Sequence, residues 1–195
     1  AEAWLRRLRE RPLLLELVRQ PLLLVLALAV EAADRRLPVE RVHLYDSAIT
    51  TLVRAWNEER RPDALRRPTG EVVDADEIRR ALAVAALSLH EQRRLGRPIP
   101  RGELHRLLAD ELGTESRADG ALEVFERQAG LLVRAGDDLR FWHASFGEFL
   151  AATALAQASR SRPLRLLRTA SSSAGREVVR MAISWSLFSG FSRVS

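Results

Sequence analysis

The feature that most constrains the fold is a single change of periodicity in a chain that otherwise follows the helical repeat. In RGELHRLLADELG, at 101–113, the apolar residues recur every three or four positions, which predicts a helix. The stretch LLVRAGDDLRFWH, at 131–143, instead reads as two short strands around the turn AGDD, whose Gly and Asp tolerate the positive φ of a hairpin. Helices followed by a hairpin predict a mainly α fold that contains a winged helix.

Three predicted helices precede this hairpin. The first has Asp74 as its N-cap and Glu77 three positions on, an arrangement typical of a capping box, and is predicted to run to about Arg94. The second covers 101–112 and stops at Gly113. The third, at about 117–129, is expected to bury the following side chains: Ala118, Leu122, Phe125 and Ala129. The hairpin would then be the wing of the winged helix.

A further helix, FGEFLAATALAQAS, follows the wing. Ser145 and Glu148 match the S-x-x-E pattern of a capping box, so Ser145 is predicted to be the N-cap of this helix. His143 therefore lies between the end of a strand and the start of a helix. This position makes it the histidine of greatest functional interest.

The regions on either side of the winged helix are also predicted to be helical. Pro21 suits the first turn of the leucine-rich helix PLLLVLALAV, which we expect to be buried on all sides at the centre of a helical bundle. A second helix carries an apolar stripe: Val42, Tyr45, Ile49, Leu52, Val53 and Trp56. We predict a helical domain at 1–61, a linker at 62–73, a winged-helix domain at 74–160, and the start of a further helical region at 161–195.

Charge and composition exclude several classes of function. The 31 basic residues are all arginine, so no lysine is available for a Walker A loop, and neither GxxxxGK[ST] nor GxGxxG occurs. This chain is therefore not predicted to be an enzyme by itself. The net charge of +5 comes from residues 157–195, which hold seven Arg against one Glu, whereas 73–156 hold 11 Arg against 14 acids. DNA phosphates favour the opposite sign, so nucleic acid is disfavoured as a partner of the winged helix.

Location is bounded by two further observations. The chain has no cysteine, which favours a reducing compartment, and we expect a cytoplasmic protein. Its longest apolar run covers only 21–30, well short of the ~20 residues that a membrane span needs. The chain begins AEAWLRRLRE with no visible targeting segment, and we expect it to be part of a longer protein.

The order of several motifs resembles a known family. QPLLLVLAL is followed by LPVERVHLYDSAITTLVRAW, then by GLLVR, and finally by FWHASFGEFLAA, which has the form F.H.SF.E.LAA. This series is similar to NACHT proteins, which belong to the STAND class of signal-transducing nucleotide switches. The resemblance covers almost the whole chain, but only the portion that follows the nucleotide-binding core. Gly147 and Phe149 depart from the motif, which usually has Gln and Tyr at these positions.

The resemblance implies a function and its residues. In that family a helical domain and a winged helix fold as a lid over ADP held by a P-loop NACHT domain of the same parent chain. The matched motifs place Pro21 against the adenine and His143 at the β-phosphate. Exchange of ADP for ATP, with Mg²⁺ bound in the parent outside this chain, would release the lid and permit homo-oligomerisation. The parent would then be a NACHT NTPase that acts in signalling, such as innate immunity or antiphage defence.

Other interpretations of the same residues remain open. His143 could cap or fill its own domain, and the first position of a helix already explains Pro21. His43, His90 and His105 lie on separate predicted helices, so we expect no zinc site. Ser145 and His143 lack an orienting acid, which argues against hydrolytic catalysis. For the whole chain, the alternatives are a DNA-binding transcriptional regulator and a helical scaffold for protein interactions.

Overall fold

The computed structural model describes residues 18–19, 21–34, 40–57, 73–159 and 173–191, with single positions 6, 15 and 169. Its helices are α1 (Pro21–Asp34), α2 (Arg41–Asn57), α3 (Ala75–Glu91), α4 (Arg101–Leu112), α5 (Glu115–Glu123), α6 (Ala144–Ser159) and α7 (Ser173–Phe191). Its strands are β1 (Ile99–Pro100), β2 (Leu132–Ala135) and β3 (Asp138–Phe141), and a π-helical turn (Val124–Gln128) continues α5. The chain divides into two compact units, residues 1–51 and 52–195.

The domain boundaries predicted from the sequence stay a prediction. Apart from Val73, the predicted linker at 62–73 lies outside the described residues, as do Pro38 and most of 161–172. The two units are therefore described separately below.

In the first unit, α1 begins at Pro21, as the sequence predicts. One face of the helix is buried through side chains spaced by three and four residues: Leu23, Leu26, Ala27 and Val30. The expectation of burial on all sides is wrong, because Val25 and Leu28 are 53% and 48% exposed. The apolar character of a helix favours packing but does not determine how many of its faces are buried. No described residue covers the face that carries Val25 and Leu28.

The helix α2 confirms its predicted apolar stripe. Four of its predicted positions are buried: Val42, Tyr45, Ile49 and Val53. Leu52 is half-buried, and the side chain of Trp56 lies outside the described residues. The guanidinium of Arg41 lies 5.5 Å from the centroid of the Tyr45 ring, close enough for a cation–π contact.

The second unit starts within the last turns of α2 and contains the helices of the winged helix. Asp74 is the N-cap of α3 as predicted, but only its backbone oxygen accepts, from Glu77 N–H at 3.0 Å. The predicted capping box is wrong, since no side chain completes it, and α3 ends at Glu91 before the expected Arg94. Gly113 ends α4 with φ +81°, the left-handed conformation expected of a glycine C-cap.

The third helix of the winged helix is α5 with its π-helical turn. Thr114 caps α5, because its hydroxyl oxygen accepts the backbone N–H of Arg117 at 3.3 Å. All the predicted core positions are buried: Ala118, Leu122, Phe125 and Ala129. The insertion of a π turn was not predicted, since the apolar spacing does not distinguish it from a continued α-helix.

The wing is a three-stranded antiparallel sheet in the order β1, β3, β2. The predicted hairpin is confirmed: Ala135 faces Asp138 across the turn, and Gly136 has φ +69°. The sequence analysis missed β1, in which Ile99 pairs with Leu139. Pro100 reads as a strand breaker, yet an edge strand tolerates a residue without an N–H donor.

The core of the second unit lies around α6, which packs against α3 on one side and α7 on another. The strand β2 contacts the π-helical turn, so the wing lies beside the third helix as a winged helix requires. The predicted fold class, mainly α with a winged helix and a further helix, is confirmed. None of the helices in the described ranges combines the length and apolar character that a membrane span requires.

Candidate functional site

The candidate site is the junction at which β3 ends and α6 begins. Phe141, the last residue of β3, is buried, and the alternation of the strand turns the next side chain outward. Trp142 is accordingly 49% exposed. Its backbone N–H donates to the carbonyl of Leu131 at 2.9 Å, which ties the junction to the residue before β2. His143 follows and is also exposed.

His143 itself caps α6. Its ring Nδ1 accepts the backbone N–H of Ser145 at 3.2 Å, and its carbonyl accepts the N–H of Phe146 at 3.0 Å. Two of the amides that a helix N-terminus leaves without intrahelical partners are thereby satisfied by one residue. The other ring nitrogen, Nε2, makes no hydrogen bond to a described residue. The imidazole is therefore hydrogen-bonded through Nδ1, while its Nε2 edge has no partner among the described residues.

This arrangement corrects the predicted role of Ser145. The helix begins at Ala144, two residues earlier than predicted, and Ser145 lies inside it at 8% exposure. The predicted Ser145–Glu148 capping box is therefore wrong. The ring of His143 accepts the amide of Ser145, which the side chain of Glu148 would have accepted in the predicted capping box, so the S-x-x-E pattern is shifted two residues from the true cap.

An aromatic pair adjoins the histidine. The rings of Trp142 and Phe146 are stacked, with centroids 5.9 Å apart and an interplanar angle of 25°. Phe146 is fully buried, so the exposed indole rests on a ring fixed in the core. Sequence reasoning did not single out Trp142, although the alternation along β3 was enough to place it outside. The junction therefore exposes the indole and the imidazole of two consecutive residues, Trp142 and His143.

The departure from the family motif at Gly147 has a steric explanation. A Cβ at this position would lie 2.8 Å from Leu95 Cδ1 and 2.9 Å from Phe141 Cδ2, closer than carbon atoms pack. Leu95 and Phe141 thus occupy the space that a glutamine side chain would need. The glycine lets the end of β3 lie against the first turn of α6, immediately beside His143.

The second departure, Phe149, is also explained by packing. Phe149 is fully buried, and its ring meets that of Trp185 on α7 edge to face, with centroids 5.9 Å apart. Arg79 of α3 lies over the same indole, with its guanidinium carbon 6.0 Å from the ring centroid. A phenylalanine suits this apolar contact between α6 and α7, since it brings no hydroxyl that burial would leave in need of a partner.

Pro21, the other predicted site residue, is the first residue of α1 and is exposed. It lies in the first unit and His143 in the second. The two predicted site residues are therefore not brought together within one compact unit.

The third helix has the wrong charge for DNA. Three acidic side chains spaced by four residues are exposed on α5: Glu115, Asp119 and Glu123. Asp119 also lies 3.2 Å from Nε2 of His105 on α4. Phosphate contacts require positive charge on the face that enters a groove, and this surface is acidic.

A carboxylate at the end of the third helix forms ion pairs within its own domain. Glu126 of the π-helical turn, 9% exposed at its side chain, pairs with Arg101 of α4 at 2.6 Å and with Arg134 of β2. Burial raises the pKa of Glu126, but the hydrogen bonds and charges of Arg134 and Arg101 outweigh burial and lower it overall. The same carboxylate raises the pKa of Arg134. This network holds the wing against the third helix.

The remaining histidines form no metal centre in the described ranges, where no group of three potential ligands is found. On α3, burial lowers the pKa of His90, and the charge of Glu91 opposes this only in part. A cavity of about 260 Å³ between α6 and α7 is lined by Ala156, Ser159, Ala182, Ile183, Ser186 and Leu187. These side chains bear no charge that could hold a phosphate.

The comparisons with known proteins agree with this architecture. A family model described as the winged helix-turn-helix domain C-terminal to NACHT matches residues 41–155, more than half of the chain. No curated protein and no solved structure matches significantly. A domain of this type is non-catalytic and follows a NACHT domain in the same chain. The chain belongs to the family of winged helix-turn-helix domains that lie C-terminal to NACHT.

Proposed function

We propose that this chain is the regulatory lid of an ATP/ADP-dependent NACHT signalling switch. The lid closes over ADP bound by the P-loop NACHT domain of the same protein, and His143 donates a hydrogen bond to the β-phosphate. The observation that carries the proposal is the position of His143 in the family motif, with its ring exposed and Nε2 uncommitted. A histidine kept only for packing would be enclosed.

The residues around His143 fit a diphosphate. The imidazole is anchored through Nδ1, so its other edge can meet a ligand without a large loss of side-chain freedom. It stands at the N-terminus of α6, where the helix dipole favours negative charge. The bound nucleotide would supply the phosphate charge, while this chain would supply one oriented donor and an aromatic flank in Trp142.

The switch follows from differential affinity. A hydrogen bond to a charged group is worth about 1.5–3 kcal/mol, so the contact of His143 would favour the closed state about ten-fold or more. A nucleotide that does not engage His143 in the same way would lose this preference, and the lid would open. In the open state we expect homo-oligomerisation, because surfaces that face the NACHT domain become accessible.

Pro21 would have a secondary part in the closed state. It opens α1 and is exposed, which permits contact with the adenine that the family motif implies. Its neighbours Val25 and Leu28, one and two turns along the same helix, are also exposed. An apolar surface of this kind suits packing against a base or against the NACHT domain.

The proposal is tested in the chain joined to its own NACHT domain. We expect His143→Ala to accelerate ADP dissociation at least ten-fold and to increase the oligomeric fraction without added ligand. His105→Ala is the matched control, since His105 pairs with Asp119 on another surface of the winged helix. Stopped-flow release of a fluorescent ADP analogue measures the first effect, and light scattering measures the second. An ADP dissociation rate that changes less than two-fold in His143→Ala refutes the proposal.

A further inference from the structure

The cap of α6 defines which edge of the His143 ring can donate. Nδ1 lies 3.2 Å from the backbone nitrogen of Ser145, whose hydrogen it accepts. A nitrogen that accepts a hydrogen bond uses its lone pair and cannot carry a proton at the same time. The neutral ring therefore carries its proton on Nε2. Protonation of Nδ1 would place two N–H groups against each other and would break the cap.

We propose that the two nitrogens of His143 have separate tasks, with Nδ1 fixing the first turn of α6 and Nε2–H acting as the side-chain donor that His143 offers to the diphosphate. The inference rests on the proposed function for its ligand but not for the state of the ring. It differs from an alternative in which phosphate sits directly on the amides of Ser145 and Phe146.

Two amides of this turn are already hydrogen-bonded. The N–H of Ser145 goes to the ring of His143 and the N–H of Phe146 to its carbonyl, at 3.2 and 3.0 Å. A phosphate bound directly to these amides would have to displace the residue that caps the helix. A phosphate bound at Nε2 displaces nothing, and it completes a chain of hydrogen bonds from the amide of Ser145 through the imidazole. The hydrogen bonds of such a chain polarise one another, so the positive end of the α6 dipole strengthens Nε2–H as a donor.

The surroundings hold the ring in this relay position. Trp142 N–H is bound to the carbonyl of Leu131, which fixes the backbone just before His143. On the following side, the absence of a Cβ at Gly147 lets Phe141 and Leu95 lie against the first turn of α6. The backbone of His143 is therefore supported from both directions. The lid contact and the stability of the first turn of α6 become coupled through one side chain.

Two substitutions separate the tasks. In His143→Asn the short side-chain oxygen can accept the Ser145 amide, and asparagine is among the best N-cap residues, but its amide does not extend to the position of Nε2. In His143→Gln the longer side chain carries an N–H donor about as far as Nε2, but glutamine is a poor cap. One variant keeps the cap and the other keeps the donor.

The expected results are opposite for the two variants. In the chain joined to its NACHT domain, His143→Asn should release ADP at least ten-fold faster. With the nucleotide removed, it should melt within about 1 °C of the unsubstituted protein. His143→Gln should melt at a lower temperature, by several degrees, and release ADP more slowly than His143→Asn does. Equal acceleration in both variants, or the reverse order, overturns the division of tasks.

The state of the ring is tested without nucleotide. In the 195-residue chain at neutral pH, long-range ¹H–¹⁵N correlation spectra distinguish a protonated from an unprotonated ring nitrogen, and the His143→Asn spectrum identifies the signals of His143. We expect Nε2 protonated and Nδ1 unprotonated. A ring protonated at Nδ1 overturns the inference, even if His143→Ala releases ADP rapidly. The expected ring state combined with unchanged ADP release in all three variants refutes the proposed function instead, and with it the ligand of Nε2.

Discussion

Two surfaces of the winged helix differ in whether their polar side chains are paired within the domain. On the third helix, Glu126 is 9% exposed at its side chain and is satisfied by two arginines of the same domain. At the start of α6, His143 is exposed and leaves Nε2 without a partner among the described residues. The third helix would read DNA in a transcriptional regulator, yet here it carries internal ion pairs and exposed acids. The surface that we propose for binding is the junction between the wing and the last helix of the motif.

The comparison separates the ion pairs that stabilise the domain from the residues that we propose for ligand binding. An ion network around the largely buried carboxylate of Glu126, whose two arginines are partly exposed, holds the wing in place. The wing in turn sets the end of β3 from which His143 is presented. Five predictions sharpen or break this contrast.

The largest expected effect concerns two glycines. Gly147→Ala places a Cβ 2.8 Å from Leu95 Cδ1 and 2.9 Å from Phe141 Cδ2, whereas a Cβ at Gly102 on α4 has no neighbour within 4 Å. Overpacking at 147 should cost about 1–3 kcal/mol, partly offset by better helix propensity, while Gly102→Ala gains only the propensity of up to ~1 kcal/mol. Since the propensity gain is common to both, we expect the two variants to differ by about 1–3 kcal/mol in denaturant unfolding.

The decisive measurement is the sign of the change in the free energy of unfolding in each variant. If Gly147→Ala is as stable as Gly102→Ala, the junction at α6 has more room than the contacts of Phe141 indicate, and its rigid presentation of His143 fails. Should Gly147→Ala also accelerate ADP release in the NACHT-containing protein, the packing of Phe141 is shown to support the ring of His143.

Much of this architecture was predictable from the sequence, for physical reasons that differ between elements. The hairpin was readable because Gly136 supplies the one positive φ of its turn, and α4 because Gly113 stops it. β1 was not, because a two-residue edge strand containing Pro100 has no periodicity to read. The π-helical turn was missed because buried residues keep similar spacing in α- and π-helices.

The candidate site was predicted by position and misread in detail. His143 was identified through the family motif, and its exposure agrees with a ligand contact. The cap was assigned to Ser145, since serine is a common N-cap and histidine is not. Only coordinates could show that the imidazole reaches the amide of Ser145, because side-chain reach depends on how β3 enters the helix. The ligand roles of His143 and Pro21 stay predictions.

A second prediction tests the closed ion network. Glu126→Gln removes the charge that Arg101 and Arg134 share, and we expect a loss of about 1–2 kcal/mol in the free energy of unfolding. Glu123→Gln on the same helix is the control, since Glu123 is exposed and should change stability by less than ~0.5 kcal/mol. Equal stability of the two variants would remove the contrast between the shielded network and the open junction.

The same carboxylate predicts a response to acid. The pKa of Glu126 is lowered in the folded protein from the ordinary value of 4.5. Its contribution to stability is therefore fully present above that value and is lost as the pH falls through the folded-state pKa. Unfolding measured between pH 6 and pH 3 should show a steeper loss for the unsubstituted protein than for Glu126→Gln. Parallel curves would assign the acid sensitivity to other carboxylates.

A smaller effect is expected at the pair formed by His105 and Asp119. Their atoms lie 3.2 Å apart, but the side chain of Asp119 is 67% exposed, so water and salt screen the interaction. Asp119→Asn should change the free energy of unfolding by less than ~0.5 kcal/mol and should leave ADP release unchanged. Thermal melting at low and high salt measures the first. A loss above ~1 kcal/mol would show that the exposed acids of α5 are structural.

The smallest expected effect is on DNA binding by the third helix. The basic residues at 157–195 can retain a labelled duplex non-specifically at low salt, so retention alone does not identify the surface that binds. Arg127 at the end of the third helix and Arg176 on α7 are both exposed, and they separate the two surfaces. We expect Arg127→Ala to leave fluorescence anisotropy titrations unchanged and Arg176→Ala to weaken any retention slightly. A winged helix that reads DNA would give the opposite result, since its third helix would supply the phosphate contacts and their steep salt dependence. Such a result would transfer the binding surface from the junction at His143 to α5, because an acidic helix that still bound DNA would have to rely on its few arginines.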